Sequence, residues 1–438
     1  MITLENLKDY FDLQEQNNPI VIASLTDLLG VIQMAGDTYT KAEIDAKIQE
    51  IKDTISSGIK LKDVVYGFRI RVEQDSSCSV SYLEDAIGAT PAFMNFSNGC
   101  FNYGSWKKAF FMPRPCMLKF DGTVDYYLDP DDFEYRSDGV TPSDVANENY
   151  EGNAMIEWNK IYYKIVPLEG RDGCADIFIS DHKADNDYVC YSFIDNNGNE
   201  KDHFYTPIYN GTVINGKLRS LSAKTHTVNV AENVLCNYAE ANGDGWSAET
   251  YVDRVLINCL LVLMGKSLNS QKIYGYGHYT GGSSASSNYK TGLLNRRGMF
   301  WGSTGNTGVK VFGMENYYGE VWRPNLGVMN LKGKYYIKLH GPYNTTGEGY
   351  TEAGNVPNAS ASYITKMNFD NNLMLPIAVG GSENTYYADG MWSNNSQDDM
   401  LFSGGSSGVG LVVGAFTFTV ADVASISIWA YGASCSYR

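Results

Sequence analysis

Residues 384–437 contain no Lys, Arg, Glu or His, and only four Asp. A stretch so poor in titratable groups is weak material for general acid–base or nucleophilic chemistry. Eight cysteines are scattered along the chain without a C-x-x-C pair, so a zinc ribbon or a thioredoxin-type site has no support. They read as mostly buried thiols. Long apolar runs are missing too. The longest, Val255 to Met264, is interrupted by Asn258 and falls far short of a bilayer span. Met1 to Asp9 lacks the basic and apolar regions of a secretory signal. Basic charge is scarce, with a formal net charge of −16. That balance argues against nucleic acid, whose phosphates need clustered Lys and Arg, and against docking on anionic lipid. The expectation is no nucleic-acid partner and no membrane insertion.

What is abundant is material for contact. The chain holds 44 Gly and 32 Tyr, and charged residues make up only 19%. This mix predicts an α+β body of short strands and long loops. Tyr and Trp supply stiff amphipathic surface, while Ser, Gly and Asn supply adaptable hydrogen bonding.

Along the chain, residues 1–37 read as an attachment segment. Leu4, Leu7 and Phe11 share helical spacing until Asn17-Asn18-Pro19 breaks it. Residues 38–58 carry the sharpest local signal. Thr40 at the N-cap and Glu43 at N3 make a capping box, with Tyr39 and Ile44 as its hydrophobic staple. Ile44, Ile48, Ile51 and Ile55 then form a heptad seam with isoleucine at both a and d, a pattern that favours trimers or higher states over dimers. A helix this short needs partners to be stable, so the seam reads as an oligomer clasp.

From residue 62 to 438 the chain reads as one large domain. Val64 to Val72 alternates like a strand, and so does Trp158 to Ile165. Asp195 to Asn199 carries a hairpin-turn signal. Ser247 as N-cap, Glu249 in the first turn, the stripe Val252, Val255, Leu256, Cys259, Leu260 and Leu263, and Gly265 as terminator predict a core helix. Leu411 to Val413 and Phe416 to Val420 are apolar enough to be strands.

Two motifs carry resemblances. Tyr39-Thr40-Lys41-Ala42-Glu43-Ile44-Asp45 resembles the short trimerising helix of many phage tail-fibre proteins. Gly313-Met314-Glu315-Asn316-Tyr317-Tyr318-Gly319-Glu320-Val321-Trp322 resembles the G-L-x-D-M-x-G-N-V-W-E-W signature of the formylglycine-generating-enzyme branch of the C-type lectin fold. Arg297 to Gly302 stands where a core approach strand would. Gly432 to Arg438 resembles the closing G-F-R strand of that branch, with Ala433 where Phe is usual. With Tyr386-Tyr387, Trp392, Gly404-Gly405 and Gly414-Ala415-Phe416, the region from about 245 to 438 is similar to the C-terminal part of tail-tip proteins of gut phages and prophages. Some of those are targets of diversity-generating retroelements. The resemblance implies a lectin-like receptor-binding domain.

Chemistry competes poorly with contact in this chain. A formylglycine-type oxidase needs two neighbouring cysteines, and Cys259 and Cys435 are far apart in sequence. Asp131-Asp132 with Glu134, and Asp398-Asp399, are the carboxylate clusters a glycoside hydrolase could use, but the first sits in a turn-forming Asp129-Pro130-Asp131-Asp132 context. His182, His203, His226, His278 and His340 show no metal-ligand spacing. The segment from Asp195 to Asn199 lacks the EF-hand glycine and distal glutamate, and no E-P-N, Q-P-D or W-N-D triplet occurs, although oxygen-rich loops leave room for a structural calcium. Lys266 to Gly277 and Gly302 to Gly308 match no phosphate-binding fingerprint and read as turns.

The expectation is therefore a non-enzymatic, cofactor-free homotrimer of the virion tail, assembled in the bacterial cytoplasm. It would attach to tail or baseplate proteins through its N-terminus and bind a bacterial surface glycan or protein. Tyr386, Tyr387, Met391, Trp392, Asn394, Asn395, Gln397, Ser406, Ser407 and Val409 are the expected contact residues. A virion-associated glycan depolymerase and a purely structural baseplate component are the alternatives.

Overall fold

The alternation read in Val64 to Val72 becomes the strand Val65–Arg71, with Phe68 and Ile70 fully buried. On the other face Arg69 forms a two-pronged pair with Asp176 of the neighbouring strand, at 2.5 and 2.6 Å. A computed structural model describes residues 63–72 and 79–438. The attachment segment 1–37 and the clasp 38–58, with Ile44, Ile48, Ile51 and Ile55, lie outside the described residues. Val64–Arg438 forms a single unit of mixed α+β structure in which strands far outnumber helices.

Three larger sheets organise it. The first is antiparallel, in the order Ser79–Glu84, Val65–Arg71, Ala175–Ser180, Tyr162–Pro167. The second runs Trp246–Ala248, Cys435–Tyr437, His203–Pro207, Gly152–Asn159, Arg114–Lys119, Val124–Tyr127. The third has eight strands: Thr351–Asn355, Lys334–Ile337, Arg323–Leu331, Asp398–Ser403, Phe418–Asp422, Gly390–Ser393, Ser362–Asn368 and Leu375–Val379. Only Phe418–Asp422 and Gly390–Ser393 pair in parallel within it.

The single strand expected over Trp158 to Ile165 is two strands in two sheets, Gly152–Asn159 and Tyr162–Pro167. Gly152 to Trp158 is buried at every position and so is covered on both faces, whereas Tyr162–Pro167 buries only Tyr163 and Ile165; the chain leaves one sheet at Asn159 and enters the other at Tyr162.

The core helix is Tyr251–Gly265, and all its residues are buried. A helix apolar around most of its circumference belongs between layers rather than on a surface. It packs against both Arg323–Leu331 and Val65–Arg71. Its ends differ from expectation. Ser247 lies in the strand Trp246–Ala248, and Thr250 is the N-cap. Glu249 is drawn away to Arg323, 3.4 Å distant. Lys266, in the left-handed region with φ 50°, ends the helix in place of Gly265.

Two expected strands are absent. Leu411 to Val413 is occupied by the 3-10 turn Gly410–Val412, with Leu411 at the surface. Arg297 to Gly302 is a turn that touches a strand only where Trp301 bridges to Lys310. Phe418–Asp422 and Cys435–Tyr437 do form strands. The turn at Asp195 to Asn199 is held by the Asp195 carboxylate, which accepts from the Asn197 and Asn199 amides. The 3-10 turn Tyr191–Phe193 leads into it, so pairing shrinks to one bridge, Ile194 to Glu200. Cys100 is an exposed thiol, while Cys116, Cys174, Cys190, Cys236, Cys259 and Cys435 are buried and free.

Candidate functional site

The Gly313 to Trp322 segment is buried along its whole length. The Trp322 amide donates to the Ala430 carbonyl at 2.8 Å, and the Gly432 amide donates to the Trp322 carbonyl at 3.0 Å. The Trp322 ring meets Trp392 edge-on at 5.4 Å and stacks on Tyr431 at 6.3 Å. Gly319, at φ 80°, has no room for a side chain, because a Cβ would lie 2.7 Å from the His278 carbonyl oxygen.

The expected contact residues divide into two groups. Tyr387, Met391, Ser406 and Ser407 are buried and offer no side-chain surface, which corrects the expectation that they form part of an exposed face. Tyr387 packs on Phe416, with ring centres 5.0 Å apart. Met391 sits on an interior strand of the eight-stranded sheet, with neighbours on both sides. Ser407 is pinned by its backbone, donating to Glu320 and accepting from Gly282.

Tyr386, Trp392, Asn394, Asn395, Gln397 and Val409 are half-buried. Their amides are already engaged. Asn395 donates to the Val356 carbonyl at 3.0 Å and to Asn358 at 2.9 Å. The Asn394 side-chain oxygen accepts from the Ser396 amide and hydroxyl. Gln397 donates to Asp399 at 2.6 Å. This stretch holds its own loops together, so a ligand there would have to replace existing hydrogen bonds.

A different place combines open surface with aromatic and polar groups. A cleft of about 270 Å³ is lined by Tyr289, Leu293, Leu294, Arg297, Trp301, Thr307, Gly308, Glu315 and Asn316. Tyr289 and Trp301 are half-buried walls, and Leu293 stands 62% exposed at the rim. The Arg297 guanidinium lies 4.9 Å from the centre of the Trp301 ring, a cation–π contact.

Local backbone geometry builds this cleft. Lys310–Val311 pairs with Met314–Glu315 around Phe312 and Gly313, both at positive φ (50° and 82°). Trp301 exchanges two backbone hydrogen bonds with Lys310, at 2.9 and 2.7 Å. Glu315 at the floor is clamped, accepting from the Gly292 amide at 2.9 Å and the Leu294 amide at 3.0 Å. Lys310 donates to the Leu294 carbonyl and lies 3.4 Å from the centre of the Phe133 ring. Burial pushes the Glu315 carboxyl up and the Lys310 ammonium down, and the attraction between them opposes both shifts. Gly308 keeps the floor open, since a Cβ there would lie 2.8 Å from the Asn316 side-chain oxygen.

Behind the Tyr289 wall stands a buried charge cluster. The Tyr289 amide donates to Glu320 at 2.6 Å, and its ring stacks on His278 at 3.9 Å. Glu320 also bonds His278 Nδ1 and has His226 Nε2 at 3.7 Å. Burial lowers the His226 pKa, and the Glu320 charge opposes that shift. Among the described residues no group of three or more His, Cys, Asp or Glu is arranged to hold a metal ion.

The carboxylate clusters named from sequence do not converge. Asp398 is exposed while Asp399 is buried, as alternation along one strand requires. Burial pushes Asp399 up to about 6, partly offset by the bond from Gln397. Asp131 and Asp132 lie in a turn closed by side-chain caps from Asp129 and Asp132, and Arg296 binds Glu134 at 2.5 Å.

Sequence reasoning passed over the cleft because its walls come from loops that read individually as turns. The available signal was an Arg and a Trp within five positions of one another, flanked by the Tyr289 and Gly302 to Gly308 loops. No protein-family model matches the chain, and no curated protein is significantly similar to it.

Proposed function

We propose that this chain is a phage tail-tip or tail-fibre protein of the virion tail that binds a bacterial surface receptor without transforming it. In this reading the chain is a homotrimer, clasped by residues 38–58 and attached to tail or baseplate proteins through residues 1–37. Residues 62–438 form a large C-type-lectin-like domain of the formylglycine-generating-enzyme branch, with its receptor-binding part at about 245–438. The observation that carries the reading is the cleft beside the Gly313 to Trp322 motif, where two aromatic walls and an exposed arginine surround a carboxylate whose oxygens are both engaged by backbone amides. Such a site is equipped to hold a ligand, and its carboxylate is poorly placed to exchange protons with one. One small cleft binds weakly, and three linked copies raise avidity by about 10²- to 10⁴-fold through effective concentration.

The test is adsorption. Particles carrying Trp301→Ala together with Tyr289→Ala should assemble normally and adsorb to host cells at least tenfold less well. Wild-type adsorption by correctly assembled double-variant particles would overturn the assignment of receptor binding to this cleft.

A further inference from the structure

We propose that the cleft takes a single saccharide unit bearing a carboxylate, an inference that rests on the receptor-binding reading and names its ligand class. The first observation is charge. Arg297 is exposed at the cleft mouth and has no ion-pair partner among the described residues. Its neighbour Arg296 is paired with Glu134 at 2.5 Å and Asp132 at 3.5 Å. In a chain of net charge −16, a guanidinium left unpaired and laid on an indole is oriented for an anion from outside. Its planar fork suits bidentate contact with a carboxylate, and the Trp301 face reduces the freedom lost on binding.

Shape is the second observation. At about 270 Å³ the cleft lies below the range of roughly 300–1,000 Å³ typical of sites for drug-sized ligands, which fits one ring rather than a chain. Half-buried Tyr289 and Trp301, with one face taken by His278 and Arg297 respectively, keep ring surface in the wall for C–H contact, and Thr307, whose hydroxyl is shared with Ser303 at 2.7 Å, and Asn316 bring polar groups to the lining.

Third, the walls offer side chains and little free backbone. Trp301 has both its amide and its carbonyl bonded to Lys310, and the Gly292 and Leu294 amides are held by Glu315. An extended peptide, which depends on main-chain partners, finds few here. The lining also sets an orientation: Arg297 is its exposed charge and stands at the mouth, so the ligand carboxylate sits there and the hydroxyl edge points inward.

The experiment titrates the intact chain with sodium glucuronate, glucose and tetraglutamate, read by saturation-transfer NMR. Glucuronate should bind about tenfold or more tightly than glucose, the scale of a charge-assisted hydrogen bond. Arg297→Ala should abolish that preference, and Arg297→Lys should restore part of it. Equal binding of the two sugars, or a preference that survives Arg297→Ala, overturns the proposal. Tighter binding of tetraglutamate than glucuronate also overturns it, in favour of an acidic peptide. Adsorption separates the two levels. If Trp301→Ala particles lose adsorption while glucuronate fails to bind, the ligand class falls and receptor binding stands. If glucuronate binds in an Arg297-dependent way and adsorption is untouched, the ligand class stands and the receptor role falls.

Discussion

Arg438 Nη2 lies 2.7 Å from Asp253 Oδ2, and both side chains are almost completely buried. The pair ties the closing strand Cys435–Tyr437 to the first turn of the core helix Tyr251–Gly265. Removing one partner leaves an uncompensated charge in the interior, which costs about 3–5 kcal/mol. Arg438→Ala should therefore lower the unfolding free energy by about 3 kcal/mol in urea titrations. Arg438→Met with Asp253→Leu should recover much of that loss.

Truncation should be more severe. Cys435–Tyr437 is an interior strand, paired with Trp246–Ala248 on one side and joined to His203–Pro207 at Tyr205 on the other. Deleting residues 432–438 removes the link between them and exposes two strand edges. The deleted chain should be recovered as aggregate, and a soluble product with a cooperative thermal transition would contradict this.

The buried carboxyls give stability a definite pH dependence. Burial raises Asp389 to about 8 and Asp399 to about 6 in the folded protein. An unfolded Asp ionises near pH 4, at about 3.9. Each group's contribution is complete below the unfolded value and is lost as pH rises through the folded one. Stability should fall between about pH 4 and 8, at no more than about 1.4 kcal/mol per pH unit for each proton. Asp389→Asn keeps an oxygen for the Phe416 amide and should flatten the slope between pH 6 and 8, measured as urea midpoints.

Gly308 tests the cleft from its floor. The Cβ of Gly308→Ala would meet the Asn316 side-chain oxygen at 2.8 Å and Leu294 at 3.2 Å. Asn316 must turn into the cleft or away from Val309, whose amide it approaches at 3.4 Å. We expect a stability loss of about 1–2 kcal/mol and, under the receptor-binding proposal, severalfold weaker binding to host cells by flow cytometry.

The proposed clasp of residues 38–58 makes a prediction from sequence alone. Ile48→Asp with Ile51→Asp puts charge into the a/d seam and should lower the oligomeric state measured by light scattering. A chain that keeps its assembly would assign oligomerisation to other surfaces.

Local periodicity made part of the fold legible. Val65–Arg71 is legible because Phe68 and Ile70 face the core while Arg69 and Arg71 on the other face stay partly exposed, so residue type tracks position. The core helix was visible from its apolar density, but its boundaries were not. Ser247 is a strong cap by type, yet its strand pairs with Cys435–Tyr437, and that pairing outweighs the local preference. The same cause hid the burial of Tyr387, Met391, Ser406 and Ser407. Their composition suits a contact surface, and only the neighbours on the eight-stranded sheet and the backbone bonds of Ser407 decide that they face inward.

The sequence by itself determined the class of molecule: an acidic α+β chain, short of basic charge, with heptad-spaced isoleucines at 44, 48, 51 and 55 and a glycine-framed tryptophan motif. Charge, periodicity and turn chemistry act over a few residues and can be read in order. Tertiary structure alone decided where open surface lies. Tyr289, Arg297, Trp301 and Asn316 become a cleft because Trp301 bridges to Lys310 and Glu315 clamps Gly292 and Leu294. Those bonds join separate loops, and no local pattern records which loops will meet.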